Sequence, residues 1–374
     1  MGGIAEKKTI YNLVSIVLVV VLLASTISAS AISTENDNAI NLNQSEMANI
    51  IISQISAPNT SQISEGTQII LSGSKVLCSF MDEPIAIYYE LSPVGYVIFD
   101  TENLRVLEYS TETSGPYEDI STRCYYNGVL NYFYKSEGIF IDISSGLEAD
   151  IDDCIIFDSQ DFYSVPVTKY SAPNNRMANT TTEVLLTRSY RNYNCNVRQN
   201  FSFFYPDATS AEIQSMPGVC GSLACAILLA FYDDHLSSLA GGGDFANNSK
   251  KVSGSISDKT YGIDLVAEIV NYVEPSGDGS FLLGPGSQQY LASHGISGKI
   301  GLNLLESFTE AQNAIGSDGS GVPIIVGMQG HYQVVVGYRI VTSPGIVLKY
   351  LKVVDGSERW INNDTVISSW SLQI

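Results

Sequence analysis

The segment Gln214–Tyr232, with the sequence QSMPGVCGSLACAILLAFY, decides the fold of this chain. Pro217 and Gly218 interrupt regular structure. The twelve residues that follow Cys220 carry no charge, so they predict a buried helix rather than a surface one. Cys220 would then stand at the N-terminus of that helix. Unpaired backbone N–H groups and the positive end of the helix dipole favour a thiolate there.

A nucleophilic thiolate needs partners, and the sequence offers candidates for each. Gln214 lies six residues upstream, and its side-chain amide could donate to a developing oxyanion. His331 lies within Gly321–Tyr338, GVPIIVGMQGHYQVVVGY, which predicts two strands and a turn, with the histidine opening the second strand. The next predicted strand, Val347–Val354, ends at Asp355. A Cys–His pair oriented by a carboxylate activates a thiol for acyl transfer.

These motifs resemble those of papain-like cysteine peptidases. The nearest likeness is to the bacterial branch of double-glycine leader peptidases, with streptopain as a more distant relative. The resemblance covers roughly residues 185–374. It implies four site residues: Cys220 as nucleophile, His331 as base, Asp355 as orienting residue and Gln214 as oxyanion donor. The residues left as alternatives to Asp355 are Asn362, Asn363 and Asp364.

The resemblance also implies the fold class, which is α+β. A helical half that carries the cysteine would precede an antiparallel β half that carries the histidine. Helices are predicted over residues 263–273, 288–294 and 306–315 from their spacing. His235 and His294 lie at predicted helix ends, so we interpret both as structural. No metal or organic cofactor is expected, because the triad needs none.

Residues 1–31 predict a secretory signal. Lys7 and Lys8 precede an apolar run at residues 13–24, and small residues at 29–31 provide a cleavage site. We therefore expect a secreted or cell-surface protein, with an uncleaved anchor as the alternative. Because no other apolar run is long enough to cross a bilayer, no stable membrane span is expected after signal removal.

The chain is strongly acidic. Its formal net charge is −20, and it becomes −21 when Glu6, Lys7 and Lys8 leave with the signal. Such a charge disfavours binding to nucleic acid and to anionic surfaces. It is typical of a soluble extracellular protein.

A β-rich N-terminal domain is predicted at residues 32–165, with strands at 85–91, 95–100 and 105–109. Its strand sequences resemble the propeptides and inhibitor domains of streptopain-like enzymes, although any antiparallel sheet could give the same pattern. Residues 166–184 predict a polar linker, which is a natural processing site, ahead of a peptidase domain at 185–374.

The six cysteines restrict the disulfides that can form. If Cys220 is a reactive thiol, five cysteines remain and at most two bridges can form. Cys225 would lie about 140° around the helix from Cys220, so we interpret it as a buried small residue.

The hypothesis from sequence is a secreted cysteine peptidase, made as a proenzyme. Its partners would be a protein or peptide substrate and its own N-terminal propeptide. Two alternatives stay open. One is an acyl-transfer enzyme of the same fold, such as an amidase or a transglutaminase-like crosslinker. The other is a catalytically silent surface or adhesion module.

Overall fold

The computed structural model describes most of the chain after residue 43 as one compact unit. The described residues are 44–55, 69–144, 146, 148–149, 180–191, 220–235, 263–273, 282–303, 306–328, 331–343 and 346–373. The predicted signal, Gln214 and most of the predicted linker lie outside them.

The described residues form five α-helices and fourteen strands. The helices are α1 (Gln44–Ile55), α2 (Cys220–His235), α3 (Ile263–Val273), α4 (Leu283–Ser293) and α5 (Ser307–Ile315). The strands are β1 (Ile70–Cys78), β2 (Pro84–Ser92), β3 (Tyr96–Asp100), β4 (Arg105–Ser110), β5 (Cys124–Tyr126), β6 (Tyr132–Ser136), β7 (Ile139–Asp142), β8 (Thr180–Leu185), β9 (Lys299–Leu302), β10 (Ile324–Met328), β11 (His331–Ser343), β12 (Ile346–Val354), β13 (Glu358–Asn362) and β14 (Ser368–Gln373). None of these helices is long and apolar enough to cross a membrane.

All fourteen strands belong to one sheet, so the protein is a mixed α/β structure dominated by a large, mostly antiparallel sheet. The strand order is β7-β6-β5-β1-β2-β3-β4-β13-β12-β11-β10-β14-β9. Within this sheet β1 and β5 run parallel. Strand β11 pairs with β12 along one edge, and β10 and β8 pair with successive halves of its other edge.

Helix α2 is the central helix of the core. All twelve residues from Gly221 to Tyr232 are buried, which confirms the prediction from their uncharged sequence. The helix packs against α3, α4, β10 and β11. A helix that is apolar on every side is stable only when other elements surround it, and this packing therefore fixes the position of its first residue, Cys220.

The sheet runs without a break from the N-terminal strands into the C-terminal ones. Strand β4 pairs with β13, with Tyr109 opposite Trp360 and Glu108 opposite Ile361. The rings of Tyr109 and Trp360 are stacked with centroids 6.3 Å apart, and the Arg339 guanidinium lies 4.4 Å from the Trp360 ring. The predicted boundary between an N-terminal domain and a peptidase domain stays a prediction. Strand β8 begins at Thr180, so its first five residues fall at the end of the predicted linker.

Most predicted elements agree with the structure to within one residue, but α4 begins five residues earlier than predicted. It starts at Leu283 rather than Gln288. Pro285 falls in its first turn, where the missing N–H costs nothing. Gly286 lies against the backbone of Tyr272, and a Cβ at this position would overlap it. The glycine that breaks the sequence pattern is therefore required by helix packing.

The buried side-chain amide of Gln54 helps to attach helix α1 to the sheet. Gln54 donates from Nε2 to the Leu104 carbonyl at 2.9 Å, and its Oε1 accepts from the Val106 N–H at 2.7 Å and the Tyr350 hydroxyl at 3.0 Å. Its side chain thus joins α1 to β4 and β12.

We predict that Gln54→Leu lowers the free energy of unfolding by about 3 kcal/mol, because it leaves buried backbone and hydroxyl groups unpaired. Chemical denaturation would measure the loss. Asn49→Leu, on the exposed side of the same helix, is the control and should change stability by less than about 0.5 kcal/mol. Equal effects in the two variants would contradict this role of Gln54.

Candidate active site

Three elements bring Cys220, His331 and Asp355 together. Cys220 is the first residue of α2, and His331 is the first residue of β11. Asp355 follows β12 directly. Because α2 packs against β11, and β11 pairs with β12, the three side chains converge where β11 begins and β12 ends. The structure thus joins three of the four residues that the sequence predicted.

The pairing of β11 with β12 sets the position of Asp355. Val334 lies opposite Val354, so Gln333 comes next to Asp355 at the end of the ladder. Gln333 is fully buried and donates from Nε2 to Asp355 Oδ2 at 2.8 Å. His331 lies two residues before Gln333, and alternate residues of a strand share a face. The same strand therefore presents both the imidazole and an amide to one carboxylate.

The His331 imidazole lies between the thiol and the carboxylate. Its Nε2 is 3.6 Å from Asp355 Oδ2, slightly longer than a hydrogen bond. This buried nitrogen has no hydrogen-bond partner among the described residues. Catalytic hydrogen bonds are often long without substrate and shorten when it binds. Since Nε2 faces Asp355, Nδ1 is the nitrogen left for Cys220, whose thiol interacts with the ring.

The neighbours of His331 favour its charged form. Burial by itself would lower its pKa, but the Cys220 thiolate and the Asp355 carboxylate together raise the pKa to about 9. An imidazolium between two anions is the form that such a site stabilises. At neutral pH the geometry therefore favours the imidazolium form of His331.

Asp355 accepts hydrogen bonds from several donors. Besides the Gln333 amide, its Oδ1 accepts from Arg359 Nη2 at 3.1 Å, from Ser357 Oγ at 3.1 Å and from the Ser357 N–H at 3.3 Å. Burial alone would raise the pKa of Asp355, but Arg359, His331 and Gln333 lower it below its ordinary value. The carboxylate therefore stays ionised and cannot rotate away from His331.

The turn after β12 makes this arrangement possible. Residues 355–357 connect Val354 to its partner Glu358 in β13. Gly356 has a φ of +102°, a conformation that residues with a Cβ rarely adopt. The tight reversal brings Arg359 back onto the carboxylate four residues before it. The backbone conformation of this turn thus explains why a glycine follows Asp355.

The remaining candidates lie elsewhere. Gln214 lies outside the described residues, so its role stays a prediction. The alternatives to Asp355 have other contacts. Asn362 accepts from the Asp364 N–H at 3.0 Å, Asn363 donates to Glu306 at 2.9 Å, and Asp364 pairs with Arg105 at 2.7 Å.

The two other histidines each contact a backbone carbonyl, and their interpretation as structural residues stays a prediction. His235 Nε2 contacts the Ser189 carbonyl at 2.6 Å, and His294 Nδ1 contacts the Tyr290 carbonyl at 3.0 Å. Cys225 is fully buried within α2, in agreement with its interpretation as a core residue.

Sequence reasoning missed Gln333 and Arg359, two of the three side chains that donate hydrogen bonds to Asp355. Gln333 could have been found, because its spacing of two from His331 places both on one strand face. Arg359 carries no such sequence pattern. Its role depends on the β12–β13 turn and on burial, which only the fold reveals.

The comparisons with known proteins add no relative. No family model matches this chain, and searches of curated proteins and of solved structures gave no match either.

We predict that the His331 imidazole titrates with a midpoint near pH 9 and that Cys220→Ala moves this midpoint downward, because the neighbouring anion is lost. Histidine NMR signals would measure both, and the chain has only three histidines to assign. Cys225→Ala, in the same helix, is the control. An unchanged midpoint in Cys220→Ala would show that the two side chains are not a pair.

The same shift makes stability depend on pH. The folded-state pKa of His331 lies above its ordinary value of 6.5. Its contribution is therefore complete below about pH 6.5 and is lost as pH rises through 9, by at most about 1.4 kcal/mol per unit. Denaturation curves from pH 6 to 9.5 should show this loss, and His331→Ala should flatten it. Parallel profiles in the two proteins would contradict the assignment.

Proposed function

We propose that this protein is a secreted cysteine peptidase with a papain-like arrangement, which hydrolyses peptide bonds in protein or peptide substrates. One observation carries the proposal. Cys220, at the start of a buried helix, lies against His331, whose other nitrogen faces the buried carboxylate of Asp355. A thiolate, a proton carrier and an orienting carboxylate in that order are the components of nucleophilic acyl transfer.

In the proposed acylation step the Cys220 thiolate attacks the carbonyl carbon of the substrate. A C–S bond forms and the carbonyl π electrons move to oxygen. The Cys220 backbone N–H, at the positive end of α2, and the Gln214 amide would stabilise this oxyanion. The His331 imidazolium then gives its proton to the leaving amine as the C–N bond breaks, which leaves a thioester on Cys220.

In the deacylation step the neutral His331 accepts a proton from water, whose oxygen attacks the thioester carbonyl. Collapse of the second oxyanion breaks the C–S bond and releases the acid and the thiolate. Asp355 stays ionised throughout and stabilises the imidazolium by charge. The donors around Asp355 keep its position relative to His331 fixed, which holds the ring in the orientation that both steps use.

Secretion and processing form part of the proposal. Residues 1–31 would direct export, and residues 32–165 would form a propeptide region in a proenzyme. Cleavage within the polar linker, residues 166–184, would be the processing step. Because the backbone of Thr180–Leu185 is paired with β11 in the sheet, the cleavage site is expected upstream of Thr180.

We predict that Cys220→Ala lowers peptide cleavage by about 10⁴-fold or more, because the nucleophile is lost. Hydrolysis of a fluorescently labelled unfolded protein would measure it, together with covalent labelling by an epoxide thiol trap. Cys225→Ala is the matched control in the same helix. It should cost about 1 kcal/mol of stability and keep most of the activity.

Two outcomes of this experiment are decisive. Equal loss in both variants, at unchanged folding, would remove Cys220 from the mechanism. Labelling of Cys220 with formation of an amide from an added amine, in place of hydrolysis, would favour the acyl-transfer alternative over a peptidase.

A further prediction concerns processing. If the enzyme cuts its own linker, full-length Cys220→Ala should be secreted uncut, and added wild-type enzyme should cleave it. Mass spectrometry of the secreted protein would locate the new N-terminus. A processed Cys220→Ala protein made without wild-type enzyme would assign the cut to another peptidase.

A further inference from the structure

The donors around Asp355 belong to a longer hydrogen-bond network that extends into the N-terminal strands. Arg359 donates from Nη2 to Asp355, and from Nη1 to the Tyr132 hydroxyl at 3.1 Å. The Tyr132 hydroxyl in turn donates to Glu108 Oε1 at 2.6 Å. One guanidinium thus connects the carboxylate beside His331 to a second carboxylate on β4.

Three members of this network are buried, and the fourth, Asp355, has a side chain that is 10% exposed. Arg359 is 8% exposed, Tyr132 5% and Glu108 0%. A charged side chain is expensive to bury, and removal of one partner from such a network leaves the other charge uncompensated. The Arg359 side chain is therefore fixed from both ends, by Asp355 on one side and by the Tyr132–Glu108 pair on the other.

The sheet explains why these residues meet. Glu108 lies opposite Ile361 in the β4–β13 pair, so Glu108 and Arg359 share a face as diagonal neighbours. Tyr132 comes from β6, farther along the same sheet, and its ring packs in a cluster with Tyr96, Tyr117 and Tyr126. Leu107 and Tyr109 beside Glu108 are buried apolar positions. The acidic residue between them has Arg359 as its compensating charge.

We infer that Glu108 and Tyr132 are positioning residues for the triad: the N-terminal strands hold Arg359, and through it Asp355, in the orientation that His331 requires. The inference rests on the proposed function and gives the N-terminal region a supporting part in the chemistry, which requires that β4 and β6 stay in the sheet after the linker is cut. It acts through geometry, since neither residue touches the thiol or the imidazole in the contacts described above.

The titratable groups around this network come from several elements. They are Tyr96 on β3, Glu108 on β4, Tyr132 on β6, His331 on β11, Asp355 in the turn and Arg359 on β13. Burial raises the pKa of Glu108 to about 7, although Arg359 opposes this rise. The pKa values of Tyr96 and Tyr132 are raised by burial, so both stay neutral hydroxyls. Glu108 is thus the member that titrates near neutral pH.

The test is Tyr132→Phe in the full-length chain, which removes one oxygen and keeps the ring. We expect kcat to fall roughly tenfold with little change in KM, because Asp355 is less well placed. The midpoint of the His331 titration should also move downward, because a displaced carboxylate stabilises the imidazolium less. Steady-state kinetics and histidine NMR would measure the two effects.

The matched control is Tyr117→Phe. Tyr117 is buried in the same cluster, and its hydroxyl donates to the Tyr125 carbonyl, with no hydrogen bond to Arg359. This variant should lose stability but keep the His331 midpoint and kcat. Equal kcat and equal His331 midpoints in Tyr132→Phe and Tyr117→Phe would overturn the inference.

Two variants of Glu108 keep the inference testable if Tyr132→Phe folds poorly. Glu108→Gln retains an acceptor for the Tyr132 hydroxyl, whereas Glu108→Leu removes it. The leucine variant should lower kcat and the His331 midpoint more than the glutamine variant. Equal values in both would overturn the inference. The His331 midpoint is measurable without turnover, so an inactive wild type would refute the peptidase proposal alone.

Discussion

The buried negative charge of Asp355 is the constraint on which the site depends. A carboxylate taken out of water needs compensation from several donors, and here they come from three directions along the chain. Gln333 approaches from β11, Ser357 from the turn itself and Arg359 from β13. Each donor requires a different strand or turn to be in register. The ionised form of Asp355 is therefore stable only when β11, β12 and β13 pair in this register.

The same constraint explains the shape of the core around Cys220. The sheet fixes the position of the His331 imidazole. The Cys220 thiol must reach this imidazole, so helix α2, which carries the thiol, must also be fixed. A helix with an apolar surface on every side meets this need, because it is held by neighbours all around rather than along one stripe. The uncharged sequence after Cys220 thus stabilises the core and also fixes the position of the thiol.

The sequence predicted what depends on local pattern and missed what depends on distant pairing. The buried helix, the strand opened by His331 and the turn at Asp355 follow from composition and spacing within a few residues. The continuity of the sheet through β4 and β13 does not, because residues about 250 positions apart pair there. Arg359 was missed although it lies only four residues after Asp355, because its contact with the carboxylate depends on the β12–β13 turn and on burial. The early start of α4 was missed because the Gly-Pro-Gly sequence indicates a break, and only contact with Tyr272 shows why glycine is needed.

Strand β8 protects an edge of β11 against aggregation. β10 covers only the first half of one edge of β11, and β8 covers the second half from Gly337 to Thr342. Arg339 reaches across this junction to Glu183 with Nε at 2.8 Å. A bare edge of this kind is a template for another chain. Any cleavage that spares Thr180–Leu185 leaves the edge closed, whereas one within this strand would expose backbone donors and acceptors for intermolecular pairing.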